Sequence, residues 1–178
     1  MALKDVQITY EDYGRKDPFY AALSRRDAKG NRWDADEFFA SGRNEIADAM
    51  NHLTRLGVVV ARGRAMDFGC GVGRLTQALC EEFDEAVGVD ISCSMIECAE
   101  KHNNFGDRCI YRVNTTDDLK LLDSASFDFV YSNLSLQHSP PEASSRYIAE
   151  FFRVLRPGGI ALFQIPSGPR HEPGSFGA

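Results

Sequence analysis

The stretch Met66-Asp67-Phe68-Gly69-Cys70-Gly71-Val72-Gly73-Arg74-Leu75 decides how this chain is read. Its start reads as a buried strand ending near Asp67 and Phe68. Three glycines then stand at alternate positions, and a helix is expected from about Arg74. Glycine has no Cβ, so the backbone can turn sharply there and a ligand can lie directly on the loop. In α/β chains such a turn holds nucleotide-like ligands beyond the carboxyl end of the strand. The spacing then separates two ligand classes. A dinucleotide fingerprint requires Gly-x-Gly-x-x-Gly, and its third glycine would fall at Arg74. That substitution, with no catalytic pair to match, speaks against an NAD-linked oxidoreductase.

Outward from this loop, apolar strand runs alternate with helical stretches, the pattern of a parallel sheet covered by helices. Strands are expected at residues 65–68, 86–90, 109–113, 127–132 and 160–165. Helices are expected at about 74–83, with Leu75, Ala78 and Leu79 inward, and at 94–101, bearing Met95, Ile96 and Ala99. Any helix within 116–126 must be brief. The last helix opens near Pro141-Glu142, where proline suits a first turn. It runs to Leu155 with Ile148, Phe151, Phe152 and Leu155 inward, and Pro157-Gly158-Gly159 is expected to stop it. The fold class is α/β: a Rossmann-like, doubly wound, mainly parallel sheet with helices on both faces.

The N-terminal third reads differently. Val6, Ile8 and Tyr10 alternate with polar residues, a weak strand signal, and residues 11–32 are polar and broken by Gly14, Pro18 and Gly30. A helix at about 44–56 carries Ile46, Ala49, Met50, Leu53 and Leu56 at helical spacing. The aromatics Phe19, Tyr20, Trp33, Phe38 and Phe39 are expected mainly to pack this segment onto the sheet. Three parts result: a cap segment and helix at 1–60, a ligand-binding domain at 61–166, and a flexible tail at 167–178 rich in proline and glycine.

Composition narrows the class. Hydrophobic residues at 43% and charged residues at 26% suit a globular domain of 178 residues. No apolar run of about 18 residues exists, so no membrane span is expected. The start Met-Ala-Leu-Lys-Asp lacks an apolar signal core, which points to a cytoplasmic protein. Residues 65–178 hold 9 basic and 16 acidic side chains, a poor match to a nucleic-acid backbone. Cys70, Cys80, Cys93, Cys98 and Cys109 form no Cys-x-x-Cys pair and do not cluster with histidine at metal spacing. They read as reduced, mostly buried thiols, and no metal is expected.

Four blocks stand in register over residues 66–166. They are Asp-Phe-Gly-Cys-Gly-Val-Gly-Arg-Leu-Thr, Val-Gly-Val-Asp-Ile-Ser-x-x-Met, Ser-Phe-Asp-Phe-Val-Tyr-Ser-Asn-Leu-Ser-Leu-Gln-His and Phe-Phe-Arg-Val-Leu-Arg-Pro-Gly-Gly-Ile. Together they resemble the class I S-adenosylmethionine (SAM) methyltransferases, in their small-molecule, methyltransferase type 11-like branch. The resemblance implies a sheet of order 3-2-1-4-5-7-6 and SAM at the ends of strands one, two and four. It also implies transfer of a methyl group to an oxygen, nitrogen or carbon nucleophile of a small molecule.

SAM offers an ammonium, a carboxylate, a sulfonium, a ribose diol and an adenine. Gly69, Gly71 and Gly73 can let the methionine part lie on backbone, and Asp67 can face the ammonium directly or through water. Asp67 could equally staple the loop through local amides. Asp90, 23 residues further on, is placed to accept both ribose hydroxyls. Its other reading, a helix cap, is already served by Ser92. Ile91 and Met95 can pack on the adenine. By position in the family blocks, Asn133 and Leu134 line the methionine and sulfonium side. Where many relatives carry an acidic residue for the adenine amino group, this chain has Thr115. Thr115 or Thr116 with backbone amides is the first choice there and Asp117 the second. Arg43 is the cation proposed to reach the SAM carboxylate. His138, after strand four, could act as general base or serve only as a structural loop histidine. The Asn/Asp-Pro-Pro-aromatic block of enzymes that methylate amide or base nitrogens is absent, the chain reading Ser132-Asn133-Leu134-Ser135.

The usual C-terminal antiparallel strand pair has no counterpart, which would leave strand five an open apolar edge. Three explanations compete: the chain is a fragment of a longer protein, a homodimer covers the edge, or residues 3–10 fold back as an extra strand. In the truncated case, a SAM- or nucleotide-binding module without turnover is the alternative reading.

Overall fold

The computed structural model describes residues 2–166 and Gly168. The central chain builds a five-stranded, all-parallel sheet: β1 (Arg64–Phe68), β2 (Glu85–Asp90), β3 (Cys109–Val113), β4 (Phe127–Ser132) and β5 (Leu155–Phe163), in the order β3-β2-β1-β4-β5. The chain winds outward from β1 to β3, then returns to the other side of β1 for β4. The strand order therefore reverses between β1 and β4, where α/β sheets open a crevice at their carboxyl ends.

Six helices flank the sheet: α1 (Leu3–Lys16), α2 (Pro18–Ala22), α3 (Ala35–Arg55), α4 (Arg74–Glu82), α5 (Cys93–Lys101) and α6 (Pro141–Val154). Strand side chains alternate between two layers, as a period of two demands. Ala65, Ala86 and Phe129 face Ile46, Met50 and Leu79 from α3 and α4. Met66, Val87 and Val130 face Tyr147, Phe151 and Val154 from α6. Asp34 caps α3 by accepting from the Glu37 amide at 2.9 Å, and Ser92 caps α5 by accepting from the Met95 amide at 3.2 Å.

The N-terminal segment overturns the strand expected over Val6, Ile8 and Tyr10, and with it the extra strand at residues 3–10. That segment is helix α1. The same residues fit a helical stripe, since Leu3, Val6 and Tyr10 turn inward while Ile8 is 59% exposed. Helix α3 starts nine residues before the expected position. It runs through Gly42, where a Cβ would overlap the Arg74 backbone, so the glycine lets α3 lie directly on the first turn of α4.

Two other expectations shift. Phe152 and Leu56 point outward, at 65% and 64% exposed, and Tyr147 and Val154 take the inner places on α6. Pro157-Gly158-Gly159 does not precede β5 but bulges within it: Leu155 pairs with Phe127, and Ile160 already pairs with Phe129. Asp128 clasps this bulge, accepting from Arg156 at 2.7 Å and from the Arg64 amide at 2.7 Å. The stretch 116–126 forms turns rather than a helix. Among the described residues β5 pairs only with β4, and no helix is long and apolar enough to cross a membrane. The expected tail lies outside the described residues, apart from Gly168.

Candidate functional site

At the carboxyl ends of β1, β2 and β4 lies a cavity of about 370 Å³. Its floor is the glycine loop. The Gly69 and Cys70 amides both donate to the Val89 carbonyl, at 2.7 and 3.1 Å, which ties the loop to β2. Gly69 and Gly73 have φ of +75° and +81°, and a Cβ on them would overlap Ser135 and Tyr111. Their lack of a side chain lets neighbouring elements close on the loop. Gly71 differs: its φ is +52°, and a Cβ there would meet only Ala22, at 3.4 Å. Its open side belongs to the cavity.

The two aspartates divide the work. Asp67 is 1% exposed beneath the loop, where it accepts from the Thr76 hydroxyl at 2.7 Å, and it does not border the cavity. Burial pushes its carboxyl up to about 7, against the opposing pull of Thr76 and Arg74. Asp90 stands in the cavity wall, accepting from the Gly71 amide at 2.8 Å and the Ser92 amide at 2.9 Å. Burial raises its carboxyl above the usual range, and those amides hold it back. Asp90 therefore fixes the glycine loop as well as facing the cavity.

Gly69, Gly71, Asp90, Ile91, Met95, Asn133, Leu134 and His138 all border this one cavity. Leu134 has φ of +59°, an uncommon backbone for a branched residue, at the bend where the chain leaves β4. His138 follows in a short 3-10 turn, its ring packed edge-on against Tyr10 with centroids 5.7 Å apart.

Besides Asp67 and Gly73, which lie behind the loop, four expected residues do not reach the cavity. Thr115 and Thr116 are exposed, and Asp117 pairs outward with Arg146 at 2.7 Å. Asn114, one residue earlier, takes the place at the wall; its amide nitrogen holds the Thr116 and Asp118 carbonyls at 3.0 and 2.8 Å. Arg43 is the fourth. It lies on the outer face of α3, 4.0 Å from Glu81, with nearly half its side chain exposed. Among the described residues the arginine at the cavity is Arg74, 5% exposed and paired with Glu45 at 2.7 Å. Its position as the first residue of α4, directly after the glycine loop, was the sequence signal for it. Glu45 left no such signal, because only the docking of α3 brings it inward.

The roof comes from the N-terminal helices. Leu3, Val6 and Tyr10 of α1 and residues 21–24 at the end of α2 cover the glycine loop. Beneath α2, Phe19 stacks on Phe38 at 4.4 Å, and Trp33 and Phe39 meet Phe38 edge-on. This cluster takes in Val72 of the glycine loop and Met95 of α5 but no strand residue and not Tyr20, so the aromatics hold the segment to the loop and α5 and not to the sheet as expected. The five thiols are free, with Cys70, Cys80 and Cys109 buried. Among the described residues no group of three or more histidine, cysteine or acidic side chains could hold a metal ion.

Comparison with known proteins agrees with this geometry. Residues 66–163 match the family model described as a methyltransferase domain. A ubiquinone biosynthesis O-methyltransferase from Xanthomonas axonopodis is 32% identical over 147 residues, covering 79% of this chain and 56% of that protein. A trans-aconitate 2-methyltransferase from Deinococcus radiodurans is 33% identical over 111 residues, covering 61% of this chain and 40% of that protein. The chain thus spans about half the length of the curated relatives it matches. Among solved structures, a phosphoethanolamine N-methyltransferase from Haemonchus contortus, in complex with phosphoethanolamine and S-adenosylhomocysteine, superposes with a TM-score of 0.65. It is 19% identical and covers 86% of this chain and 30% of that one, a likeness of fold.

Proposed function

Because the chain belongs to the methyltransferase domain family, we propose that it transfers a methyl group from SAM to an oxygen, nitrogen or carbon nucleophile of a small molecule. One observation carries the reading: a single roofed cavity brings together the glycine loop, Asp90 and the Asn133–His138 turn at the strand-order reversal. The residues present fit this cofactor. Gly71 turns an open side to the cavity, Asp90 presents a carboxylate at the wall, and Ile91 and Met95 supply an apolar face. When bound, SAM supplies a methyl group made electrophilic by its sulfonium.

In this reading Asp90 accepts the ribose hydroxyls, and Gly69 and Gly71 lie along the methionine chain. Asp67 and Gly73 act from beneath the loop: Asp67 anchors α4 through Thr76, and Gly73 lets Tyr111 close on it. Asn114 joins Thr115, Thr116 and Asp117 as a candidate for the adenine side, and it is the member at the wall. Asn133 and Leu134 flank the reacting end. His138 orients the acceptor or takes its proton, and Tyr10 closes the acceptor side from above. Alignment of acceptor and methyl supplies much of the barrier reduction when the acceptor is already nucleophilic.

Five free thiols suit the reducing cytoplasm as the working compartment. A second copy of the chain is the cover we propose for β5, read by sedimentation.

Calorimetric titration with SAM, S-adenosylhomocysteine and NAD tests the cofactor, followed by an acceptor panel of phenols, carboxylates and amines. The expected result is binding of the first two ligands, none of NAD, and methyl transfer to one acceptor class. Binding of NAD would overturn the reading. Cofactor binding with no turnover across the panel would leave the binding-module alternative.

A further inference from the structure

We infer that Arg74 takes the α-carboxylate of the cofactor's methionine end and that Glu45, a residue outside the cavity, is its positioning residue. The inference rests on SAM being the cofactor, as proposed above, and needs no acceptor.

Three elements converge on the Glu45 carboxylate. Its Oε2 accepts from Arg74 Nη2 at 2.7 Å. Its Oε1 accepts from the Tyr131 hydroxyl at 3.0 Å and from Asn133 Nδ2 at 2.7 Å. Helix α3 thereby grips the first turn of α4, the end of β4 and the turn after β4. Arg74 and Asn133 border the cavity, so one carboxylate sets two wall residues at once.

The local packing explains why α3 can do this. Gly42 and Ser41 precede Glu45 by three and four residues, the spacings that bring positions onto one face of the helix. Gly42 permits contact with the Arg74 backbone, and Ser41 Oγ accepts from Arg74 Nη1 at 3.4 Å. Glu45 is thus held against α4 and not extended into solvent. Burial and Glu45 together raise the Tyr131 phenol above its usual range, which keeps it a donor to this carboxylate.

Charge supports the assignment of Arg74. A buried guanidinium must be paired, and Glu45 meets that need. Only two of its five N–H donors are engaged among the described residues, and the side chain stands in the cavity wall. A guanidinium fork matches a carboxylate in plane and charge, so the group it fits there is an amino-acid carboxylate. Arg43, the neighbouring cation on α3, faces the outer surface and Glu81.

Calorimetry with two ligands tests this. S-adenosylhomocysteine carries the amino-acid end, and 5′-methylthioadenosine lacks it. Arg74→Met should weaken S-adenosylhomocysteine roughly tenfold or more, the scale of hydrogen bonds to a charged group, and leave 5′-methylthioadenosine unchanged. Glu45→Ala should reproduce that selective loss and cost clearly less in the Arg74→Met background than in wild type, because a positioning residue acts through its partner and only its hold on Asn133 remains there. Glu45→Gln, which keeps an acceptor for Arg74, should fall between wild type and Glu45→Ala, and it carries the test if the alanine variant does not fold. Equal losses for both ligands, or additive losses in the double variant, would reduce Glu45 to a packing role and overturn the inference. Unchanged S-adenosylhomocysteine affinity in Arg74→Met would do the same. A wild-type chain that binds 5′-methylthioadenosine but not S-adenosylhomocysteine would remove Arg74 from the site. One that binds neither would remove the cofactor reading itself.

Discussion

The floor and the roof of the cavity are built by different means. The floor is backbone: strand ends, a glycine loop tied to the Val89 carbonyl, and Asp90 holding two amides. Phe68 and Val89 at the strand ends and Cys70 in the loop are buried in the sheet's two cores. The roof is two helices, α1 and α2, resting on side chains. Helix α1 buries Val6 alone and meets α5 through Glu11 and through Gly14, where a Cβ would overlap Ser94, and α2 has no buried residue. A floor so built is preorganised for a ligand, whereas a roof with few buried contacts can open locally. Under the proposed function, cofactor affinity is expected to rest on the floor and acceptor entry on the roof.

Gly71 is where the two meet, and changing it should have the largest effect. Gly71→Val places a β-branched side chain at φ of +52°, toward Ala22 of the roof and into the cavity. Strain of about 1–2 kcal/mol from the left-handed backbone adds to about 1–3 kcal/mol of overpacking. Cofactor binding should vanish from calorimetry while the thermal transition stays cooperative. Normal binding by this variant would mean that the ligand does not lie on the loop.

His138 separates the halves kinetically. It rises from the floor but packs against Tyr10 of the roof. His138→Ala should slow transfer to a hydroxyl acceptor by about 10²–10⁴-fold, the usual scale of general-base assistance, with cofactor affinity unchanged. Loss of cofactor binding instead would move His138 to the floor, and wild-type turnover would leave it a structural histidine.

The same division governs what the sequence revealed. The floor was legible because its signals are local: alternating glycines, a strand before them, and Asp90 at the next strand end. The roof was not, because Val6, Ile8 and Tyr10 satisfy a period of two while Leu3, Val6 and Tyr10 satisfy a helix, and only packing against α5 decides. Arg43 and Arg74 show the same limit. Nearness to Ser41-Gly42 favoured Arg43, yet the rotation of α3 turns it outward and brings Glu45 in. The start of β5 was hidden because Pro157-Gly158-Gly159 carries the chemistry of a helix stop and is used as a bulge.

Asp90 should have a smaller effect than Gly71, confined to the floor. Asp90→Ala should weaken cofactor binding by roughly 1.5–3 kcal/mol, the range for hydrogen bonds to a charged group. Unchanged affinity would remove Asp90 from the ribose site. Beneath it, Asp67 predicts how stability varies with pH. Its carboxyl is raised by burial to about 7, so the folded chain binds this proton more tightly than the unfolded chain does. The stability this provides is complete below the ordinary carboxylate value near 3.8 and is lost as pH rises to about 7. Asp67→Asn, which can still accept from Thr76, should flatten that decline in urea unfolding at several pH values. An unchanged pH slope would place the titration elsewhere.

The smallest effect belongs to the roof's latch. Glu11 of α1 accepts from the Cys93 amide at 2.6 Å and the Ser94 amide at 3.3 Å, at the start of α5. The Ser94 hydroxyl returns a bond to the Glu11 carbonyl at 2.9 Å. Burial works against the Glu11 charge, but the two amides and the Ser94 side chain outweigh it and hold the carboxyl below its usual range. A carboxylate on the first amides of a helix is stabilised by orphan donors and by the helix dipole. Glu11→Ala should therefore loosen α1 by about 0.5–2 kcal/mol, the scale of a lost helix cap. The floor keeps its own hydrogen bonds, so the loss should appear as faster amide exchange in residues 3–16 and faster cofactor release. Exchange in β1 and the glycine loop should stay as it was. Because the latch works as a charged carboxylate, the wild-type roof should also loosen as pH falls through the Glu11 range, and the alanine variant should not respond. Equal exchange changes in roof and floor would mean that the two act as one cooperative unit.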